Sequence, residues 1–167
     1  MSIPKKISSY MDSKHVSYSH ILHPPGYTAE EVANKIHCLK HELAKTIAVH
    51  MDGRDILAVI PASDMLDIHL LQQSFGAKHI KFFSENELNQ KFKDCETGAM
   101  PIFGHLYGME VIVSDNLLED GEIYFNAGTH IDAIKCSMED FIKLEKPIFA
   151  HISNLHKDNF VSRDLGY

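Results

Sequence analysis

The spacing of hydrophobic residues changes repeatedly along the chain, and each change marks the boundary of a short predicted element. Residues 4–14 carry apolar side chains at helical spacing, and residues 16–22 suggest a strand that ends at His23-Pro24-Pro25-Gly26. Thr28 begins a second predicted helix, because its hydroxyl can cap the first turn and Glu31 can reach back to it. The first part of the chain therefore predicts a helix, a strand and a helix.

Two apolar runs form the strongest hairpin signal in the sequence. Thr46–Met51 and Ile56–Ile60 lie on either side of Asp52-Gly53, a pair that favours the tight turn of a hairpin. We expect this hairpin at the centre of the sheet.

The remaining pattern predicts further short helices and strands. Ser63 is expected to cap a helix that ends near Gly76, and Ser84 a helix that follows a short strand through Ile80 and Phe82. The later strands are predicted at Met109–Val113, Glu122–Asn126 and Ile131–Cys136, before a last helix from Ser137 to near Leu144.

This order of elements, rich in hairpins, indicates an α+β fold with a mixed, curved, barrel-like sheet and flanking helices. A single domain is predicted over residues 1–150, since a chain of this length can bury one core without disulfides. Residues 151–167 are polar and without periodicity, and they are predicted to form a carboxyl-terminal tail.

The segment Asp94–Gly104, which we call the glycine loop, concentrates residues that shape the backbone. Gly98 and Gly104 allow positive φ and close approach of a ligand, while Pro101 fixes its own φ and restrains Met100 before it. Such a loop can hold backbone N–H groups toward a cleft, where they would stabilise an oxyanion or bind a carbonyl. The alternative is an ordinary connector between two strands.

Composition and charge restrict the possible functions. The net charge of −7 argues against DNA binding and broad nucleic-acid affinity, since Lys and Arg supply most of non-specific binding. No apolar run is long enough to span a membrane, and the start lacks a secretory signal, so we expect a cytoplasmic protein. The three cysteines, Cys38, Cys95 and Cys136, are far apart and lack metal-ligand spacing, which predicts reduced thiols.

No metal or other cofactor is predicted. His41-Glu-Leu-Ala-Lys45 matches a zinc-protease helix except at its last position, where lysine replaces the second histidine. His37 and His41 are four residues apart, but the sequence offers no third ligand beside them.

Two further segments carry candidate chemistry. Lys45 comes immediately before an apolar strand, where its ammonium can reach a cleft at the sheet edge, although many such lysines are simply solvated. Asn126-Ala-Gly-Thr-His130 joins two strands and can project polar side chains toward a site, with a polar hairpin as the alternative. Cys95 and His130 also offer a nucleophile and a base, if the fold brings them together.

Four segments together resemble the YbaK/prolyl-tRNA synthetase-associated domain family over residues 15–147. They are, in order, Thr28-Ala-Glu-Glu-Val-Ala, Glu42-Leu-Ala-Lys-Thr46, the glycine loop and Phe125-Asn-Ala-Gly-Thr-His130. Members of that family are single α+β domains that hydrolyse wrongly charged aminoacyl-tRNA, either alone or inserted into prolyl-tRNA synthetase. The resemblance implies a trans-editing aminoacyl-tRNA deacylase, acting on a tRNA(Pro)-type substrate that carries a small amino acid.

The resemblance also implies roles for particular residues. The family's invariant lysine corresponds to Lys45, and its glycine-led loop begins at Gly98. That loop is usually Gly-x-x-x-Pro, whereas this chain has Ile102 at the proline position and Pro101 one place earlier. The implied catalytic residues are Lys45, Gly98, Ala99, Met100 and Gly104. The implied substrate-binding residues are Tyr27, Thr46, Pro101, Ile102, Phe103, Gly128, Thr129 and His130, the last at a position that varies among subfamilies.

The implied mechanism needs no metal and no covalent nucleophile. Lys45 would bind the carbonyl or the terminal phosphate, and N–H groups of the glycine loop would stabilise the oxyanion. The acceptor end of mischarged tRNA is the expected partner, and prolyl-tRNA synthetase is a second one that the resemblance suggests. The alternative function is a non-catalytic tRNA- or aminoacyl-binding module that uses the same cleft.

Overall fold

The computed structural model describes residues 2–155. Its helices are α1 (Lys5–Ser13), α2 (Ala29–Ile36), α3 (Ile68–Phe75), α4 (Glu85–Lys91) and α5 (Met138–Glu145). Its strands are β1 (Tyr18–Leu22), β2 (Leu43–Met51), β3 (Arg54–Pro61), β4 (Asp64–Leu66), β5 (Ile80–Phe82), β6 (Glu110–Ser114), β7 (Glu122–Asn126), β8 (Asp132–Ser137), β9 (Ile148–Ala150) and β10 (Ser153–Leu155). The predicted α+β fold is confirmed.

Side-chain caps begin most of the helices where the sequence predicts them. The Thr28 hydroxyl accepts a hydrogen bond from Glu31 N, and Ser84 and Glu87 form a reciprocal capping box at α4. Ser137 caps α5 in the same way, by accepting from the Asp140 amide. Local sequence therefore determines these three helix starts.

The predicted helix from Ser63 is wrong in its first turn. Asp64–Leu66 form strand β4 instead, and α3 begins at Ile68 with Asp67 as its cap. Oδ1 of the Asp67 carboxylate accepts hydrogen bonds from two backbone amides of the first turn, those of His69 and Leu70. Pairing of β4 with β10 keeps the preceding residues extended.

The main sheet is mixed, and its strands follow the order β1-β8-β7-β2-β3-β6-β9, with β5 paired to β2. The predicted hairpin is confirmed, because β2 and β3 pair in antiparallel register from Ala44–Pro61 to Met51–Arg54. It lies in the middle of the sheet, with β7 parallel to β2 on one side and β6 parallel to β3 on the other.

Alternate residues of β2 belong to separate hydrophobic clusters on the two faces of the sheet. Ala44 and Ala48 pack in the largest cluster, with Phe103 and Phe125 of neighbouring segments. On the other face, Ile47, Val49 and Met51 pack beneath α3, while Leu43 packs against α2 through Val32 and Ala33. Lys45 lies between Leu43 and Ile47, so its side chain points to the α2 face.

The chain beyond α5 adds two strands that the sequence pattern did not predict. Strand β9 pairs with β6, and β10 pairs with β4. Ile152 is completely buried between them. The first part of the segment predicted as a tail, 151–155, thus packs on the domain, while residues 156–167 lie outside the described residues. No helix in residues 2–155 is long and apolar enough to cross a membrane.

Candidate functional site

The candidate site lies where strands β2 and β7 stop pairing. Their parallel ladder joins Leu43 to Tyr124 and Ala44 to Phe125, and it ends there. The next residue on each strand is Lys45 on β2 and Asn126 on β7. We call this point the β2/β7 fork. Two segments that are about 80 residues apart in sequence thus present polar residues at one level of the sheet.

The glycine loop is bonded to both arms of the fork. On the β2 arm, the Thr46 hydroxyl donates to the carbonyl of Met100 at 3.4 Å. On the β7 arm, Gly128 N donates to the Ala99 carbonyl at 2.8 Å, and Glu96 N donates to the Gly128 carbonyl at 2.8 Å. The loop is therefore anchored to both arms of the candidate site, and Thr46 and Gly128 hold it in place.

The surface of the site is formed by Gly98, His130 and Tyr27. Gly98 has φ +88°, and a Cβ atom at this position would lie 3.6 Å from His130 Cε1. The Tyr27 ring packs on the His130 ring with centroids 4.8 Å apart, and the Tyr27 residue is 67% exposed. The backbone amide of His130 donates to Glu96 Oε1 at 3.2 Å. The structure thus brings these three predicted site residues together.

The floor of the site is a row of side chains across five strands. Ile21 pairs with Ala133, and Ala133 pairs with Asn126. Asn126 and Tyr124 are two residues apart on β7, so their side chains point to the same face. Tyr124 pairs with Leu43, and Lys45 follows Leu43 by two residues on β2. Asn126 and Lys45 therefore share that face. Lys45 pairs in turn with Ile60. The row therefore places a cation and an amide beside small or apolar side chains.

Backbone N–H groups of the glycine loop differ in their hydrogen bonding. The Ala99 amide donates to the Glu96 carbonyl at 3.0 Å, so it is already used within the loop. Within the described residues, the amides of Gly98, Met100 and Ile102 donate no hydrogen bond. With the amides of Thr97 and Phe103, these are the donors of residues 97–103 that are not used as the Ala99 amide is.

For several predicted site residues, packing in the core explains the type of residue present. The Phe103 ring is completely buried among the aromatic rings of Tyr10, Phe125 and Phe141, so only its backbone is available to a ligand. A Cβ atom at Gly104 would lie 2.5 Å from Val111 Cγ2, which explains the glycine by packing. Pro101 and the side chains of Met100 and Ile102 are also buried.

Thr129 is buried and holds the turn before β8. Its hydroxyl donates to Asp132 Oδ2 at 2.5 Å and accepts from the amides of Ile131 and Asp132. The other carboxylate oxygen of Asp132 contacts His20 Nε2 at 2.5 Å. These contacts occupy the Thr129 hydroxyl and hold the turn that places His130 beside Gly98.

The sequence matches the profile of the aminoacyl-tRNA editing domain family over residues 23–144, a span that contains Lys45, the glycine loop and the turn to His130. The chain belongs to this family. Among curated proteins, it is similar to the prolyl-tRNA editing protein ProX of Acetoanaerobium sticklandii, with 26% identity over 152 residues. That alignment covers 87% of this chain and 92% of ProX.

Solved structures show the same fold. The hypothetical protein APE2540 superposes with a TM-score of 0.80 at 19% identity, covering 89% of this chain and 99% of that one. A proposed trans-editing enzyme for prolyl tRNA synthetase superposes with a TM-score of 0.77 at 15% identity, covering 90% and 96%. The editing domain fold therefore extends over nearly the whole described chain.

Within this editing domain, Cys95 is not equipped as a nucleophile. It is buried, and burial raises the pKa of its thiol to about 12, with a hydrogen bond to Tyr107 at 3.4 Å. A thiol with that pKa is protonated near neutral pH and carries no reactive thiolate. The structure therefore does not support the Cys95 and His130 pair as nucleophile and base.

The two histidines near α2 of the editing domain, His37 and His41, have different surroundings. His37 has left-handed backbone geometry and ends α2, while His41 contacts Asp120 through Nδ1 at 2.9 Å. Within residues 2–155, no group of three or more His, Cys, Asp or Glu side chains is placed to hold a metal ion.

Two polar residues of the site were given no individual role from the sequence, although Asn126 belongs to the turn predicted to project polar side chains. Asn126 Oδ1 and His23 Nε2 are buried and have no hydrogen-bond partner among the described residues. Asn126 begins the predicted polar turn, and His23 precedes two prolines where the first strand was expected to end. A signal was therefore present at both positions, but only the strand register shows that they face the site.

Proposed function

We propose that the protein is a trans-acting hydrolase that cleaves the ester bond of mischarged aminoacyl-tRNA, of the tRNA(Pro) type and carrying a small amino acid. The observation that carries this proposal is the β2/β7 fork. It places Lys45 at the same end of the sheet as a loop with N–H donors and a turn that presents His130.

The chemistry of this substrate suits the residues available. An aminoacyl ester is already activated, so a hydrolase has to position water, polarise the carbonyl and stabilise the developing oxyanion. In our proposal, Lys45 binds the carbonyl or the terminal phosphate, and the free amides of Gly98, Met100 and Ile102 donate to the oxyanion. The protonated thiol of Cys95 is consistent with direct attack by water.

The dimensions of the floor support a small amino acid. Ala133 is the smallest residue of the row, and it is completely buried between Ile21 and Asn126. The segment between β1 and α2 is also tightly packed, because a Cβ atom at Gly26 would lie 3.0 Å from Val32 Cγ2. A large side chain on the substrate would have to displace one of these groups.

The exposed Tyr27 ring supports recognition of the acceptor end of tRNA. Aromatic side chains stack on unpaired bases, and the tRNA acceptor ends in unpaired nucleotides. Tyr27 lies over His130 at the mouth of the site, where the terminal base would follow the ester. Association with prolyl-tRNA synthetase would add specificity for the rest of the tRNA, and a crosslinking experiment tests for it.

Replacement of Lys45 by alanine is the direct test of the proposed function. We expect Lys45→Ala to abolish release of the amino acid from mischarged tRNA while leaving the far-ultraviolet circular dichroism spectrum unchanged. Lys81→Ala is the matched control, because Lys81 is an exposed lysine on β5, which pairs with the same strand β2. Full activity of Lys45→Ala would contradict the assignment.

A panel of substrates separates hydrolysis from simple binding. The wild-type protein is incubated with tRNA carrying alanine, cysteine, serine or threonine, and release of each amino acid is measured over time. Release of one of them faster than spontaneous hydrolysis supports the deacylase and names its substrate. Binding of the same tRNAs without release would instead support the non-catalytic binding module.

A further inference from the structure

Two unpaired acceptor atoms lie on the floor of the site. His23 is only 6% exposed, and its Nε2 makes no hydrogen bond within residues 2–155. The same is true of Oδ1 of Asn126, although that residue is only partly buried. A buried polar atom without a partner destabilises the fold, which makes such atoms uncommon unless a ligand completes them.

The hydrogen bond at the other ring nitrogen fixes the chemical character of His23. Nδ1 lies 2.8 Å from the carbonyl oxygen of Pro24. A carbonyl oxygen can only accept, so Nδ1 carries the hydrogen, and in the neutral form of the ring Nε2 presents a lone pair. Both unpaired atoms are therefore hydrogen-bond acceptors and require a donor.

Strand register places both acceptors on the Lys45 face. The amide of His23 donates to the carbonyl of Ile131 at 2.9 Å, which continues the pairing of β1 with β8 by one step. His23 follows Ile21 by two residues, so the two side chains point to the same face. Ile21 pairs with Ala133, and Ala133 pairs with Asn126. The acceptors thus lie on either side of the small Ala133.

We propose that His23 Nε2 and Asn126 Oδ1 accept hydrogen bonds from the α-amino group of the bound aminoacyl ester. This inference rests on the proposed function and adds a specificity that the function alone does not require. An amine supplies several N–H donors, while the ester carbonyl only accepts. The two acceptors lie toward the β1 side of the row, and the Lys45 ammonium lies on β2. The substrate therefore fits in one orientation, with its amine toward the acceptors and its carbonyl toward Lys45.

The use of neutral acceptors also has a chemical reason. A carboxylate in place of Asn126 would lie on the strand beside Lys45 and compete for the cation that the carbonyl needs. The nearby buried carboxylate of Asp132 is already bonded to Thr129 and His20. An imidazole and an amide can hold the amine without adding a carboxylate beside Lys45.

The test compares two acyl groups that differ only at the α-amino group. Its substrates are tRNA carrying the amino acid that the wild-type protein releases fastest, and the same tRNA carrying the corresponding acid without the amine. We expect Asn126→Ala to reduce kcat/KM for the aminoacyl substrate by about 10- to 100-fold, the loss of one hydrogen bond to a charged group. The same variant should change hydrolysis of the deamino substrate by less than about threefold.

Further variants show whether the effect comes from the acceptor or from the fold. Asn126→Gln retains a neutral amide oxygen as acceptor and should keep more activity toward the aminoacyl substrate than Asn126→Ala. His23→Ala should likewise reduce kcat/KM more for the aminoacyl substrate than for the deamino substrate. Asn154→Ala is the matched control, because Asn154 is exposed on β10 and contacts Asp67 rather than the site.

The possible outcomes distinguish this inference from the proposed function. If the wild-type protein hydrolyses no aminoacyl-tRNA, the proposed function itself fails. If it is active but Asn126→Ala reduces hydrolysis of both substrates equally, or of neither, recognition of the amine is wrong. The terminal ribose hydroxyl is the other possible donor. If the effect of Asn126→Ala does not depend on the amine but disappears when that hydroxyl is removed from the substrate, the acceptors bind the ribose and the inference is overturned.

Discussion

At the scale of single residues, three glycines of the site are required for three different reasons. Gly98 has φ +88°, where an L-residue is strained, but a Cβ atom would meet only ordinary contact. Gly104 is required by its packing on Val111. Gly128 combines both constraints, since it has φ +93° and a Cβ atom would lie 2.5 Å from Pro4 Cδ. Gly98 is therefore the glycine whose replacement affects the site most selectively.

A matched pair of glycine variants separates backbone strain from loss of function. Gly53 in the β2–β3 turn has φ +81° and no atom within 4 Å of its Cβ position. Both Gly98→Ala and Gly53→Ala should lower the free energy of unfolding by about 1–2 kcal/mol, the penalty for a left-handed L-residue. Only Gly98→Ala should reduce deacylation, because it shifts a loop donor next to His130.

Thermal unfolding and single-turnover hydrolysis, measured on both glycine variants, check this prediction. Equal stability loss with equal hydrolysis would remove Gly98 from the proposed mechanism.

At the scale of elements, the capped helix α4 stabilises the strand that carries Lys45. Glu87 accepts from the Ser84 amide in the capping box and contacts His50 of β2 at 2.5 Å. His50 Nδ1 also contacts Asp55 of β3, and its ring is stacked on Phe83 at 4.1 Å. The side chain of one cap residue thus joins a helix start to the central hairpin.

These contacts predict a pH dependence of stability. The hydrogen bond from the Ser84 amide, followed by that from His50, lowers the pKa of Glu87 from 4.5 to about 2. A carboxylate with a lowered pKa stabilises the fold fully above about pH 4.5 and loses that contribution as the pH falls toward 2. Glu87→Gln should therefore lower Tm at neutral pH, and its difference from wild type should shrink across that window.

Circular dichroism melts over this pH range measure the difference, with Glu85→Gln as the control for removing a charge from the same helix turn. A Tm difference that is constant with pH would show that the Glu87 carboxylate is not responsible.

At the scale of the whole molecule, charge limits how the protein can hold tRNA. The chain carries 23 acidic and 16 basic residues, so an extended contact with phosphates is unfavourable. Several lysines are also occupied, such as Lys40 with Glu30 and Lys143 with Glu139. We therefore expect contacts at the unpaired acceptor end rather than along the tRNA body.

The salt dependence of binding tests this expectation. Each single-strand phosphate that is neutralised contributes about −0.7 to the slope of log K against log salt. We expect a slope that corresponds to about two phosphates, and equal affinity for whole tRNA and for a minihelix that contains only the acceptor stem. Filter binding between about 50 and 200 mM salt measures both quantities. A steep slope, or a clear preference for whole tRNA, would indicate a larger interface.

The amino-acid sequence by itself determined the elements whose signals are local. Thr28, Ser84 and Ser137 cap helices because each needs only a backbone amide three residues away. Asp52-Gly53 determines the central hairpin in the same local way, with positive φ at both residues. The four motifs also indicated the family. Strand β4 was missed because its pairing with β10 depends on residues about 90 positions away.

Only the tertiary structure decided which polar residues share the site. Lys45 and Asn126 lie at one level of the sheet because each follows the last pair of a parallel ladder, and no periodicity in either strand records where its neighbour stops pairing. Tertiary packing likewise placed the Phe103 ring in the core and used the Ala99 amide within the glycine loop. Local sequence determines backbone conformation over a few residues. The surroundings that a side chain meets, and the acceptor with which a backbone amide forms its hydrogen bond, depend on distant segments.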